Sequence, residues 1–160
     1  MLKHIIVIVF IILITGCAGS MTRIADSEKT IHVTNEIPGR TQQQILESTK
    51  QWMEKHFTAQ PDPIAFADQN AGLMSGNGQI DYPCSWADCV TKGNWQVSFS
   101  MRIDAQDGVI KTSFRNIQLY SPESGPDRGM NSPVWAKRDM DAIRPKLLEL
   151  NRKLIQFLSE

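Results

Sequence analysis

The stretch from Trp95 to Ile103 constrains the fold more than any other part of the chain. Its odd-numbered positions are all apolar, and its even-numbered positions are Gln, Ser and Arg. Because successive side chains of a strand point to opposite faces, this alternation predicts a strand with one buried and one wet face, as in an antiparallel sheet. Asp107-Gly108 then predicts a hairpin turn. The apolar positions of the return strand change phase near Arg115-Asn116, which indicates a bulge.

Shorter patterns precede this hairpin. The alternating residues 31–37 and the short stretches 64–68 and 73–80 predict strands. After the first of them, Thr41 is followed by Gln44 at the spacing of a capping box, and apolar residues then recur at helical intervals. We therefore expect an amphipathic helix of roughly 16 residues that begins after Thr41.

The rest of the chain is interpreted from composition and from one helical pattern. Residues 81–94 and 121–133 show no period, and the second segment is rich in Ser, Pro and Gly, so both are predicted to be loops. Apolar residues from Met140 to Phe157 are spaced by three and four, which predicts a C-terminal helix. Pro145 should kink or split it, with the main portion running from Pro145 to about Leu158.

The order strand, helix, four strands, helix predicts an α+β fold. A two-layer sandwich, with an antiparallel sheet and both helices on one face, would bury every apolar stripe. This order resembles one repeat of the TATA-box-binding protein (TBP). The helix with Trp52, the stretch PIAFADQNAGLMSGNG at 63–78 and the hydrophobic C-terminal helix resemble a family of bacterial lipoproteins. That family is known only as a domain of unknown function with a TBP-like fold. The resemblance covers about residues 30–159 and implies a fold, but no activity, catalytic residues or DNA binding.

The N-terminal residues predict export and lipidation. A basic start is followed by an unbroken apolar run over 5–14, about half of what a membrane span needs. Leu13-Ile14-Thr15-Gly16-Cys17 resembles the lipobox of bacterial lipoproteins, which implies cleavage before Cys17 and acylation of that residue. Ala18 implies, by resemblance to enterobacterial sorting, the outer membrane facing the periplasm. We expect a signal peptide at 1–16, a flexible tether at 17–30 and a single domain at 31–160.

Charge and cysteine content limit the function classes. The chain has 17 basic and 17 acidic residues. This balance argues against a nucleic-acid partner, because phosphate binding needs a basic patch. With Cys17 acylated, Cys84 and Cys89 form an even pair in an oxidising compartment, so we expect one disulfide. Structural zinc would need four ligands, and the mature chain adds only His32 and His56, so no metal is expected.

No group of residues in the sequence predicts catalysis, and no cofactor is expected. His56 shares a helical face with Trp52 and Phe57, and no nucleophile motif accompanies it. We therefore expect a non-enzymatic binding or assembly module, attached to the membrane through its N-terminal lipid, with an envelope protein as candidate partner.

Two surfaces are candidates for partner contact: Trp86, which lies between the two cysteines, and the 121–133 loop. Trp86 could stand exposed on a rigid loop or fold back to cap the sheet edge, and the sequence leaves both open. The alternative function is a small-ligand or lipid carrier with a cleft between sheet and helices. Gly76 and Gly78 would leave room for it, or would let a helix approach the sheet closely.

Overall fold

The strands and helices follow the order of the sequence patterns, with two additional short elements. The structure is a computed structural model that describes residues 23–59, 62–121 and 130–160. The elements are β1 (Ile31–Glu36), α1 (Gln42–His56), β2 (Ile64–Asp68), β3 (Leu73–Asp81), α2 (Ala87–Lys92), β4 (Gln96–Gln106), β5 (Val109–Ser121), β6 (Met130–Pro133) and α3 (Lys137–Ser159).

All six strands form one antiparallel sheet in the order β1-β5-β4-β3-β2, with β6 also paired to β5. β1 pairs with residues 109–114 of β5, and β6 pairs with residues 118–121. The buried residues of α1, of α3 and of alternate strand positions form one hydrophobic cluster. The predicted α+β sandwich, with α1 and α3 on one face of the sheet, is therefore confirmed.

The central hairpin has the predicted form. Along β4, the side chains of Val97, Phe99, Met101 and Ile103 are buried, while the positions between them are more accessible. The turn at Asp107-Gly108 places Gly108 at φ 74°, a left-handed value that glycine adopts without steric cost. The β4–β5 register shifts between Ser98 and Ser100, and Asn116 opposite that shift also has a positive φ of 51°. The expected bulge is confirmed.

Helix α1 begins with the predicted capping box. The hydroxyl oxygen of Thr41 accepts a hydrogen bond from the Gln44 amide at 3.3 Å, and the Gln44 side chain accepts one from the Thr41 amide at 3.0 Å. These two bonds satisfy amides that a helix start leaves without partners. The helix then buries Trp52 and Met53, with Phe57 just beyond its end, against the sheet.

Two glycines of β3 let α1 approach the sheet. A Cβ atom at Gly76 would lie 2.8 Å from the Met53 sulfur, and one at Gly78 would lie 3.0 Å from the Phe57 ring. Such contacts are too short, so both positions exclude a side chain. The close-packing interpretation is confirmed, and the room that a carrier would need above these glycines is filled.

Three local predictions are wrong. Residues 81–94 contain the short helix α2, and the segment 121–133 ends in the strand β6. Both elements are too short to show a period, and each depends on partners distant in sequence. Helix α3 runs through Pro145 from Lys137 to Ser159, so the predicted split there is wrong. Pro145 is exposed, and the helix buries Ile143 before it and Leu147 after it on one face, so packing against the core holds the two halves together.

The predicted tether is wrong over the part that the structure describes. Ile24 is buried, and its amide donates a hydrogen bond to the Trp135 carbonyl oxygen at 2.9 Å. Arg23 forms a β-bridge with Ala136, and Asp26–Lys29 forms a 3-10 turn. The folded domain thus includes residues from Arg23 onward. The predicted signal peptide, Cys17 and the rest of the tether lie outside the described residues. Within the described ranges, no helix is both long enough and apolar enough to span a membrane.

Candidate functional site

The Cys84–Cys89 disulfide is confirmed, and it closes the segment that carries Trp86. Trp86 immediately precedes α2 and is 94% exposed, and Val90 within α2 is 87% exposed. We call this pair the α2 knob. The alternative in which Trp86 folds back to cap the sheet edge is wrong.

Trp86 also has an unusual backbone conformation. Its φ is 33° and its ψ is −89°. A bulky side chain rarely adopts positive φ, so a tryptophan here is costly to the fold. Such backbone outliers cluster at binding sites, and the ring of this tryptophan is almost fully exposed to solvent.

A buried ionic cluster fixes the base of α2. The Lys92 ammonium lies 2.6 Å from Oδ1 of Asp139, and the Tyr82 hydroxyl donates a hydrogen bond of 2.7 Å to the same oxygen. The side chains of Lys92 and Asp139 are only 13% and 12% exposed. The ammonium also lies 4.8 Å from the centroid of the Tyr82 ring and 5.2 Å from that of Trp95. The cluster therefore joins the C-terminal end of α2 to the first turn of α3.

The electrostatics of this cluster favour a neutral tyrosine. Burial, the hydrogen bond to Asp139 and the negative charge of that carboxylate raise the pKa of the Tyr82 hydroxyl well above its ordinary value. Asp139 itself lies in the first turn of α3, where the helix dipole favours a negative charge. A second ion pair, between Arg138 and Asp88 at 3.4 Å, ties α2 to the same turn.

Sequence reasoning identified Trp86 and the disulfide but missed the cluster that supports them. Lys92 and Asp139 are 47 residues apart, and no local pattern connects them. Only a weak sequence pattern pointed to this cluster: the aromatic residues Tyr82 and Trp95 lie at the two ends of the disulfide-containing segment. The second predicted surface, the 121–133 loop, falls largely outside the described residues.

Two further features bear on metal binding and on His56. Among the described residues, no three or more His, Cys, Asp or Glu side chains come together to hold a metal. His56 stacks on the Trp52 ring at 4.4 Å, and its Nδ1 donates a hydrogen bond of 2.8 Å to the Trp52 carbonyl oxygen. That arrangement caps the end of α1 and leaves His56 in a structural role.

A cleft of about 280 Å³ lies elsewhere, between α1 and the edge strand β2. Leu46, Ile64 and Met74 are among the apolar residues that line it. Charged side chains also line it: Glu47, Lys50, Glu54 and Asp62. Gly76 and Gly78 are not among the residues that line this cleft.

Comparison with known proteins agrees with the fold. Residues 32–120 match the sequence profile of a family described as a domain of unknown function (DUF4468) with TBP-like fold. The chain is similar to the crystal structure of a TBP-like protein from Parabacteroides distasonis ATCC 8503. The TM-score is 0.65 at 11% identity, over 86% of this chain and 97% of that one. It is also similar to a DUF4468 family protein from Bacteroides ovatus ATCC 8483, with a TM-score of 0.54 at 20% identity over 88% and 85% of the two chains. No curated protein matches. At these identities the two structures support the fold alone.

Proposed function

We propose that this chain, which belongs to the DUF4468 family with its TBP-like fold, is a lipid-anchored, non-enzymatic binding module of the bacterial cell envelope. The lipobox-like residues before Cys17 support the anchor, and Ala18 favours the outer membrane over the inner one. Several acyl chains would hold the protein firmly, because each buried methylene contributes about 0.8 kcal/mol.

The α2 knob is the observation that carries the binding proposal. Trp86 offers a large apolar ring with one hydrogen-bond donor, and tryptophan is enriched where binding energy concentrates. The disulfide and the Lys92–Asp139 pair hold the segment in place before any contact forms. A surface that is already ordered loses little conformational entropy on binding, so more of the contact energy remains as affinity.

Site-specific photo-crosslinking in intact cells tests the knob. A photoreactive phenylalanine in place of Trp86 should give a crosslinked adduct. The same group in place of Thr91, which is exposed on another side of α2, should not. Trp86→Ala should shift the melting temperature by no more than about 2 °C, because the side chain buries little surface. Equal labelling from positions 86 and 91, with the fold intact, would show that the knob is not a contact surface.

The anchor has its own test. Cys17→Ser should leave an uncleaved precursor that takes up no palmitate, since the acylated thiol is gone. If metabolic palmitate labelling is the same in Cys17→Ser as in the parent protein, the lipid anchor is at another residue or does not exist. Membrane fractionation then distinguishes the inner membrane from the outer one.

A second candidate function is a small-ligand or lipid carrier, and the cleft between α1 and β2 favours it. Ala67 lines this cleft, so Ala67→Phe should fill it, while Ala65→Phe at the neighbouring bulge should not. Native mass spectrometry of protein purified from membranes should then show a bound ligand in Ala65→Phe but not in Ala67→Phe. Absence of any co-purified ligand from the parent protein would reject the carrier.

A further inference from the structure

We infer that the α2 knob contacts the lipid bilayer on which the protein is anchored, and that Trp135 contacts it as well. The knob and Trp135 together form what we call the aromatic end. This inference rests on the proposed acylation of Cys17 and deepens the proposed function by naming the partner of the same surface.

The aromatic end is a single region of the molecule. The Asp88–Arg138 and Lys92–Asp139 pairs hold α2 against the first turn of α3, and Trp135 lies two residues before that helix. Trp135 is 55% exposed. In the described part of the chain, four large hydrophobic side chains are exposed, and three of them are Trp86, Val90 and Trp135. Exposed apolar groups that concentrate at one end mark an interaction surface.

The chain leaves the domain toward Cys17 from this same end. Arg23 bridges to Ala136, and the Ile24 amide donates a hydrogen bond to the Trp135 carbonyl oxygen. Five residues lie between Cys17 and Arg23, so even a fully extended chain, six residue steps long, spans only about 20 Å between them. A domain of this size has a radius of gyration of about 14 Å. Its diameter is more than twice that radius and therefore exceeds the length of the extended chain between Cys17 and Arg23. An acyl group on Cys17 would keep the aromatic end as the part of the domain nearest the bilayer.

The chemistry of the aromatic end suits a bilayer surface. Tryptophan concentrates at membrane interfaces, where its ring lies among the acyl chains and its N–H remains hydrated. The basic side chains in the first turn of α3 are paired: Arg138 with Asp88 at 3.4 Å, and Lys137 with Asp141 at 3.3 Å and with Glu28 at 3.9 Å. Contact should therefore depend on burial of the aromatic rings and should not require anionic lipid.

Quenching of tryptophan fluorescence by brominated lipid tests this inference on the full acylated protein. The vesicles contain phosphatidylcholine whose acyl chains carry bromine. Binding should quench up to about half of the emission, because two of the four tryptophans would lie at the interface. The fully buried Trp52 is the internal reference, and the double variant Trp86→Phe/Trp135→Phe should lose the quenching. About 1 M salt should leave the quenching unchanged, since it screens charges but not apolar contacts.

The possible outcomes distinguish failure of the membrane contact from failure of the proposed lipid anchor at Cys17. Protein that floats with the vesicles but shows no quenching retains its anchor and overturns membrane contact by the aromatic end. Protein that does not float overturns the anchor as well. If a photoreactive group at position 86 labels a protein instead of lipid, the chain is still a binding module, but its partner at this surface is a protein and not the bilayer.

Discussion

The buried pair of Lys92 and Asp139 gives the sharpest stability prediction. Asp139→Asn keeps the shape of the side chain but removes its charge, which leaves the Lys92 ammonium without a counter-ion in a site where 13% of its side chain is exposed. Breaking a buried ion pair from one side costs about 3–5 kcal/mol, because the remaining charge stays desolvated. Lys92 is slightly exposed, and the Tyr82 and Trp95 rings partly stabilise its ammonium. We therefore expect the loss in free energy of unfolding to be near the lower limit, at about 3 kcal/mol.

The matched control lies two residues away. Asp141→Asn removes a carboxylate that pairs with Lys137 at 3.3 Å, but the Asp141 side chain is 59% exposed. Exposed pairs contribute under about 1 kcal/mol, so this variant should unfold almost like the parent protein. The double variant Lys92→Met/Asp139→Leu removes both charges together, and it should recover most of the stability that Asp139→Asn loses.

Urea unfolding of the oxidised protein, followed by tryptophan fluorescence, measures the free energies of unfolding of these variants and of the two single variants Lys92→Met and Asp139→Leu, which complete a double-mutant cycle. The double-mutant cycle should show a large coupling energy between Lys92 and Asp139. If Asp139→Asn costs no more than Asp141→Asn, or if the two single changes add in the double variant, the pair does not hold α2 on α3.

Three further predictions concern the core and the tyrosine. Phe99→Ala should cost about 3–5 kcal/mol, while Ser98→Ala on the wet face should cost under about 0.5 kcal/mol; equal losses in urea unfolding would contradict a sheet buried on one side. Gly76→Ala should cost about 1–3 kcal/mol, because the new Cβ would lie 2.6 Å from the Pro63 carbonyl oxygen, and the same assay measures it. The raised pKa of Tyr82 means that the folded state favours the neutral phenol. The neutral phenol therefore contributes to the free energy of unfolding below about pH 10, and this contribution is lost as pH rises above that value. The urea midpoint should fall as pH rises above about 10, and an equal fall in Tyr82→Phe would show that another group is responsible.

Sequence predicted those parts of the fold whose cause is local. The alternation over 95–103 needs only one buried face, and the capping box of Thr41 and Gln44 lies within a single helical turn. The glycines of β3 were also informative, because a missing side chain on an otherwise apolar face indicates a close neighbour. Each of these features lies on a segment long enough to show its own period.

The errors share a cause, which is dependence on distant partners. β6 has four residues and is a strand because it pairs with β5. α2 has six residues and is held by a disulfide and by Asp139, far along the chain. For the site, the sequence identified Trp86 but left its orientation open. The Lys92–Asp139 contact that holds α2 joins residues far apart in the chain, and no sequence period encodes it.

The long strand β5 also has a consequence for the order of assembly. The two-residue turn closes β4 onto β5 with a minimal loss of chain entropy, whereas β1 must return from more than seventy residues away. β1 and β6 then attach to separate stretches of one preformed edge, and neither pairs with the other. Either short strand can detach while the hairpin persists, so native-state hydrogen exchange should show β6 amides opening at lower free energy than those of β4. The edge of β5 that receives β1 and β6 should thus open more readily than the hairpin that supports it.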